Sequence, residues 1–574
     1  MTRINIILFL LKFKIGLSLK KVVEIITKKS IMEKTWLKQY PAGIPTEINP
    51  DKYKSVKDLF ELSCKKFSDN IAFESMGVPV TYKDFNRLAH NFAAYIQTNT
   101  NLKPGDRIAL QMPNILSYPV AIYGSMLAGL VIVNTNPLYT AREMEHQFKD
   151  SGATAIVLFS PFAPILKAIV ANTAIKIVII AEATDLFPTP AAPMPYDGGL
   201  SFRDVVADNT ANKFTPVETK SSDIAFLQYT GGTTGVSKGA VLTHRNVLAN
   251  VEQTSTLNSI RVIEGKEIIV TPLPLYHIFS LTVNLIGFIA NGGKDILIAN
   301  PRDLPGFVKT LATSKATFLT GVNTLFNSLA HDEEFKKIDF SNLKAVIGGA
   351  TSIQKPVADL WKKVTGTALV EGYGLTETSP VVTCNKIDGT ERVGTIGIPL
   401  PSTDVKLMDE DNNEVPQGEP GEIWVKGPQV MQGYYNRPDE TAKVMTADGW
   451  LKTGDIAVVS EDGYFKIVDR KKDMIIVSGF NVYPNEVEEV VASHYKVMEA
   501  ACIGIEDEKS GEVVKIFVVK KDASLTEAEL LEHCKQFLTG YKVPKAIEFR
   551  DDLPKTPIGK ILRRMLRPDA ATKA

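Results

Sequence analysis

The sequence predicts an α/β protein with a large body of two tandem βα blocks plus antiparallel β, followed by a small α+β domain. Three observations carry this. Strand-length apolar runs alternate with amphipathic helices in two successive blocks. After Gly397 the texture changes to short strands separated by turns. Past "DRKKD" (469–473) a charged linker gives way to a fresh mixture of helix and strand.

The first block runs from Lys54 to Ile180. "KDLFELSCKKF" and "YKDFNRLAHNFAAYIQ" place apolar residues at three- and four-residue spacing, so both read as helices. "RIALQM", "LVIVNTN", "ATAIVLF" and "IKIVII" are short apolar runs of the kind buried on both faces of a parallel sheet. The second block repeats the pattern with "EIIVTPL", "DILIA", "ATFLTG" and "LKAVIGG" as strands. Between the blocks, "FPTPAAPMPYDGG" (187–199) reads as a surface loop. "PQGEPGEIWVKG" and "EDGYFKIVDR" read as antiparallel strands and turns. The boundaries expected are 32–469 for the large domain, 470–473 for a hinge and 474–574 for the small domain, about a hundred residues long.

Composition narrows the function classes. At 574 residues the chain exceeds one hydrophobic core. Lys+Arg and Asp+Glu are both 65, so nothing in the charge balance points to nucleic acid. Cys64, Cys384, Cys502 and Cys534 form no C-x-x-C pair, which argues against a zinc knuckle or disulfide framework and for a cytoplasmic setting. Residues 1–31 are basic and apolar by turns, and the run Ile6 to Leu11 is far short of the roughly 20 residues a spanning helix needs. Two readings stay open there: a basic amphipathic helix on the membrane surface, or a start at Met32.

Four stretches carry chemistry. "QYTGGTTGVSKGA" (228–240) is no Walker loop, because Lys238 precedes Gly239 and a strand follows. Its Gly231, Gly232 and Gly235 let backbone N–H groups approach an anion, Thr230, Thr233 and Thr234 add hydroxyls, and Lys238 adds a mobile charge. "EGYGLTETSP" (371–380) offers Tyr373 for stacking on a base and Glu377 as a hard oxygen for Mg²⁺, or else is a strand-exit loop. "GWLKTGD" (449–455) puts Asp455 at a strand end, where a carboxylate can accept ribose hydroxyls. "PKTPIGKILRRML" (554–566) presents Lys560 after Gly559, while Arg563 and Arg564 read as a solvated basic terminus.

In this order the four stretches resemble the adenylate-forming superfamily of acyl-CoA synthetases, luciferases and peptide-synthetase adenylation domains, from about Met32 onward. The chain is most similar to the branch of bacterial long-chain fatty acid–CoA ligases, through "DGWLKTGDIAVVSEDGYFKIVDRKKDMI" (448–475), "YPAGIPTEINPDKY", "TGVNTLFNSL" and "SGFNVYPNEVE". The resemblance implies that the antiparallel part is a distorted β-barrel and that the small domain is mobile. It implies acyl-AMP formation from a fatty acid and ATP, then transfer to coenzyme A, feeding lipid metabolism. Gly231 to Gly235, Thr230 and Lys238 would hold phosphates, and Thr233 and Glu377 would hold Mg²⁺. Gly349, Ala350, Glu371, Gly372, Tyr373, Gly374 and Thr376 would frame the adenine and phosphate, with Asp455 and Arg470 on the ribose. Lys560 would bridge carboxylate and α-phosphate, Thr376, Glu377 and His277 would assist, and rotation about Lys472 would bring Gly479 and Phe480 to coenzyme A. Peripheral contact with the inner membrane and a homodimer are further expectations of the resemblance.

Residues 278–290, "IFSLTVNLIGFIA", carry no charge, which fits an apolar channel for an alkyl chain and equally a buried core helix. His277 just before it either gates the channel or orients the carboxylate, or else is a satisfied core histidine. An acyl-AMP ligase serving a carrier protein, a medium-chain or aryl ligase, and a non-catalytic lipid binder are the competing readings.

Overall fold

The computed structural model describes residues 34–192, 194–207, 213–230, 237–556 and 559–567. The extension 1–31 therefore lies outside the described residues.

The first block forms a seven-stranded sheet. Its strands run, in spatial order, Leu200–Ser201, Ile177–Ala181, Ala155–Phe159, Arg107–Gln111, Val131–Asn134, Ile224–Thr230 and Lys238–Thr243. All neighbours are parallel except the last pair. The interior runs are buried along their length, as two-sided burial in a parallel sheet requires. The helix Tyr82–Asn99 begins at a Thr81 cap whose hydroxyl accepts the Asp84 N–H. It packs on the helix Ser117–Leu127, and Phe60, stacked on Tyr123 at 4.4 Å, seals the junction.

The second block builds a nine-stranded sheet: Ile398–Pro399, Val381–Cys384, Leu369–Gly374, Ala345–Gly348, Phe318–Gly321, Ile268–Thr271, Lys294–Leu297, Ile71–Ser75 and Val78–Thr81. Its centre is parallel and both edges are antiparallel. The edge hairpin 71–81 comes from the start of the chain and pairs with Lys294–Leu297, so the first block lends a hairpin to the second sheet. Met76 and Gly77, both at positive φ, form its two-residue turn.

The expected barrel takes the form of a four-stranded antiparallel sheet, Asp404–Met408, Gly421–Lys426, Leu451–Val459 and Phe465–Arg470. A bridge between Gly397 and Phe465 joins it to the edge of the nine-stranded sheet. After the turn that follows Arg470, a five-stranded sheet (Ile475–Val477, Phe480–Val482, Val497–Asp507, Gly511–Lys520 and Ala546–Arg550) packs against the helices Pro484–Ala492 and Glu527–Phe537. The short hairpin 475–482 that opens it was not anticipated, because its strands are too short to show periodicity.

Candidate active site

The strands Ile224–Thr230 and Lys238–Thr243 pair in antiparallel register with Thr230 opposite Lys238. They bracket the glycine–threonine loop, of which Gly231, Gly232, Thr233, Thr234 and Gly235 lie outside the described residues. Segment 432–435 runs beside the second strand: Val241 N–H donates to Gly433 O, and Tyr435 N–H donates to Gly239 O. This addition brings Tyr434 to the loop's exit. The Lys238 ammonium sits 5.0 Å over the Tyr434 ring and pairs with Glu440, whose carboxyl it holds well below the usual range. Tyr434 in turn donates its hydroxyl to Glu377 Oε1 at 2.6 Å. Tyr434 thus fixes one oxygen of Glu377, and Thr376 opens the short 3₁₀ turn that carries it.

The strand Leu369–Gly374 runs farther than the expected exit loop and carries Glu371, Gly372, Tyr373 and Gly374 within it. A Cβ on Gly374 would stand 1.9 Å from Pro380 O, so only glycine fits there. Glu371 turns its buried carboxylate inward, accepting the N–H groups of Ile353 at 3.1 Å and Gly394 at 3.2 Å. Burial raises it to about 7. The same bond anchors the loop after Gly348, where Ala350 takes φ 63° and Gly349 lies against the Phe279 ring.

Asp455 is not at a strand end, as the sequence suggested, but inside Leu451–Val459. Gly454, at φ 74°, precedes it, and the register slips just beyond, so the strand bends and continues. Tyr373 donates its hydroxyl to Asp455 Oδ2 at 2.7 Å, and burial beside that carboxylate raises the phenol well above its ordinary range. Arg470, directly across the sheet, approaches Asp455 Oδ1 at 3.2 Å.

Lys560 enters this group from the far end of the chain. Its backbone N–H donates to Thr556 Oγ1 at 3.0 Å, and Thr556 N–H donates to Lys560 O at 2.7 Å, closing a tight loop. That loop lies on the large body so closely that a Cβ on Gly559 would come within 2.8 Å of Thr324 Oγ1. Burial, then the neighbouring Arg470 charge, lowers the Lys560 amine to about 7, with Asp455 opposing. His277 faces the same space: burial and the Lys560 charge lower its imidazole to about 4. Its loop is pinned by Asn114, which donates to Thr271 O and Leu273 O and accepts Leu275 N–H, and by Gln228, which donates to Tyr276 O.

Residues 278–290 are helical and largely buried, beginning with a π-helix at Ser280–Ile286. Leu281, Leu285 and Ile286 belong to the main core, so the core-helix reading holds for that face. Lys472 lies exposed in the turn after Arg470. Gly479, at φ 83°, and Phe480 sit at an exposed hairpin tip, with Phe480 stacked on Tyr541 at 4.9 Å.

Arg563 corrects the sequence reading outright. It is no solvated basic residue: its guanidinium binds Glu488 at 3.0 and 2.8 Å, Asp469 at 3.1 Å and Asn485. A run of basic residues shows charge but not distant carboxylates, so this partnership was invisible in the sequence. Tyr434 and Glu440 were missed for the same reason, since no spacing signal ties them to Lys238 or Glu377.

The arrangement links Lys238, Tyr434 and Glu377 in one group and sets the Lys560 amine beside a Tyr373–Asp455–Arg470 triad in another. The model for the AMP-binding enzyme family matches residues 60–435, and that for the AMP-binding enzyme C-terminal domain matches 486–560. A long-chain-fatty-acid–CoA ligase of Yersinia pestis is 52% identical, covering 94% of this chain and 98% of its own length. One from Escherichia coli O6:H1 is 52% identical over 94% of this chain and 99% of its own. The crystal structure of ATP-bound MatB from Rhodopseudomonas palustris superposes with a TM-score of 0.81 at 30% identity, over 90% of this chain and 99% of that one. With a family model across more than half its length and relatives 52% identical over 94% of it, the chain belongs to the AMP-binding enzyme family.

Proposed function

We propose that the protein is an AMP-forming long-chain fatty acid–CoA ligase. In the first step a carboxylate oxygen attacks the α-phosphorus of ATP, a new C–O–P bond forms, and pyrophosphate leaves. In the second, the coenzyme A sulfur attacks the acyl carbonyl carbon and AMP leaves with the former carboxylate oxygen. A fatty carboxylate is already ionised near pH 7, so the site needs no general base for step one. It needs in-line placement and neutralisation of charge.

The observation that supports this most is the convergence of Lys560, from the last described segment, on the Tyr373–Asp455–Arg470 group beside His277. In this reading Asp455 and Arg470 hold the ribose, with adenine between Tyr373 and the 349–350 loop, and Lys238 releases Glu440 to meet phosphate. Lys560 spans carboxylate and α-phosphate. The small domain then turns about Lys472, withdrawing Lys560 and bringing Gly479 and Phe480 to the coenzyme A arm. Glu377 fits a Mg²⁺ ligand, because Mg²⁺ commonly takes one or two protein carboxylates plus substrate phosphates. Bound there, Mg²⁺ would supply charge neutralisation on the leaving pyrophosphate. The relatives' names and the uncharged 278–290 helix favour a long alkyl chain over an amino acid, whose ammonium would want an acid nearby.

The test incubates the protein with ATP, Mg²⁺, coenzyme A and a panel of acetate, octanoate, palmitate, oleate, 4-coumarate and leucine. Palmitoyl- and oleoyl-CoA with stoichiometric AMP are expected. Acyl-AMP without thioester would instead identify an acyl-AMP ligase. Among the described residues no helix is long and apolar enough to cross a membrane. Binding of chains starting at Met1 and Met32 to anionic vesicles tests whether 1–31 add peripheral contact.

A further inference from the structure

Along the strand Phe465–Arg470, side chains alternate between faces, so neighbours do different work. Arg470 points to Asp455 and the site. Asp469 points the other way and is fully buried. Its carboxylate accepts three donors: its neighbour's N–H from Arg470 at 2.7 Å, the Asn485 N–H at 2.7 Å, and Arg563 Nη1 at 3.1 Å. Two of these come from beyond the hinge. Asn485 adds a second crossing bond by donating its side-chain amide to Val468 O at 3.2 Å. Arg563 anchors itself in the small domain through Glu488 and Asn485 and also reaches Asp473 at 3.6 Å. It stands three residues from Lys560 on the same short segment.

We propose that Asp469 and Arg563 form a latch across the hinge, a pair of positioning residues that holds the small domain with Lys560 in the site. This rests on the two-step, hinged reading given above. A rotation large enough to withdraw Lys560 draws Arg563 and Asn485 off Asp469 and leaves its carboxylate short of two donors. That cost falls on the rotated state alone, so the latch sets how the enzyme divides its time between steps. The same strand therefore binds ligand with one residue and domain position with the next.

The test separates the half-reactions in full-length protein. Step one is followed by palmitate-dependent ATP–pyrophosphate exchange, step two by thioester formation from supplied palmitoyl-AMP and coenzyme A. Asp469→Asn, which keeps shape and removes the charge, is expected to slow exchange about tenfold or more, the size of a lost charged hydrogen bond. Step two should hold or rise. Exchange within twofold of the unmodified protein, or an equal fall in both steps, overturns the latch. If Asp469→Asn shows no cooperative thermal unfolding, Arg563→Lys decides by the same criteria, since it keeps the charge but loses the fork that reaches both sides. Lys560→Ala, run in parallel, separates the two ideas. Should it leave exchange intact, the hinged reading itself fails. Should it abolish exchange while both latch variants behave as the unmodified protein, only the latch falls.

Discussion

Asp455 and Arg470 face each other in antiparallel register, 3.2 Å apart, and Tyr373 reaches the same carboxylate from a different sheet. Sheet geometry thus fixes one carboxylate from two directions before any ligand arrives. Tyr373→Phe removes one of those bonds and keeps the ring. Hydrogen bonds to charged groups contribute about 1.5–3 kcal/mol, so KM for ATP should rise by roughly tenfold to a hundredfold with kcat less affected. Steady-state kinetics at saturating palmitate checks it, and an unchanged KM would mean that Asp455 is held by Arg470 alone.

Lys560→Ala should lower adenylation by about a hundredfold or more, the usual cost of one preorganised charge-stabilising group. Thioester formation from supplied acyl-AMP should survive.

The Lys560 amine also predicts a pH limb. Its folded value lies near 7, below the ordinary lysine range, so the charged form is present below that pH and lost above it. Adenylation kcat/KM, which reports the free enzyme, should fall as pH rises through about 7. Lys560→Arg should move that limb to higher pH, and a limb that stays in place would belong to another group.

Gly374→Ala is expected to destabilise the large body strongly, because the added Cβ would overlap the Pro380 carbonyl and force two strands apart. A Tm lowered by several degrees would show this. An unchanged Tm would mean that the edge strand yields without cost.

Asp295 lies buried beneath the 280–286 helix and accepts from Thr271, which in turn receives Asn284. Burial raises its carboxyl to about 7. The folded protein therefore keeps a proton there that the unfolded chain releases near pH 4, and stability falls as pH rises from about 4 to 7. Asp295→Asn should flatten that slope in Tm measured between pH 4.5 and 7.5. Glu371, raised to about 7 by the same cause, would leave a smaller slope of equal sign.

Strands buried on both faces were legible in the sequence because their burial is written in consecutive residues, as in Ile177–Ala181 and Phe318–Gly321. Tyr373 and Lys560 were legible through the order of the four motifs rather than by residue type alone, and the structure brings both to Asp455. What stayed hidden depends on meetings between distant segments. Asp455 continues its strand because Gly454 bends it, the hairpin 71–81 joins a sheet assembled from residues far downstream, and Arg563 finds Asp469 and Glu488 only through the fold. Local pattern records whether a side chain is covered, not by what.

The entry of Lys560 from so late in the chain has a bearing on synthesis. Tyr373, Glu377, Asp455 and Arg470 all leave the ribosome first, and at roughly 5–20 residues per second they precede Lys560 by on the order of ten seconds. Throughout that interval the nascent large body can fold around Tyr373, Asp455 and Arg470 while lacking the Lys560 amine and the Gly559 backbone that lies against Thr324. Under the function proposed above, ATP met by a half-made chain would be held without being spent, and chemistry would wait for translation to finish.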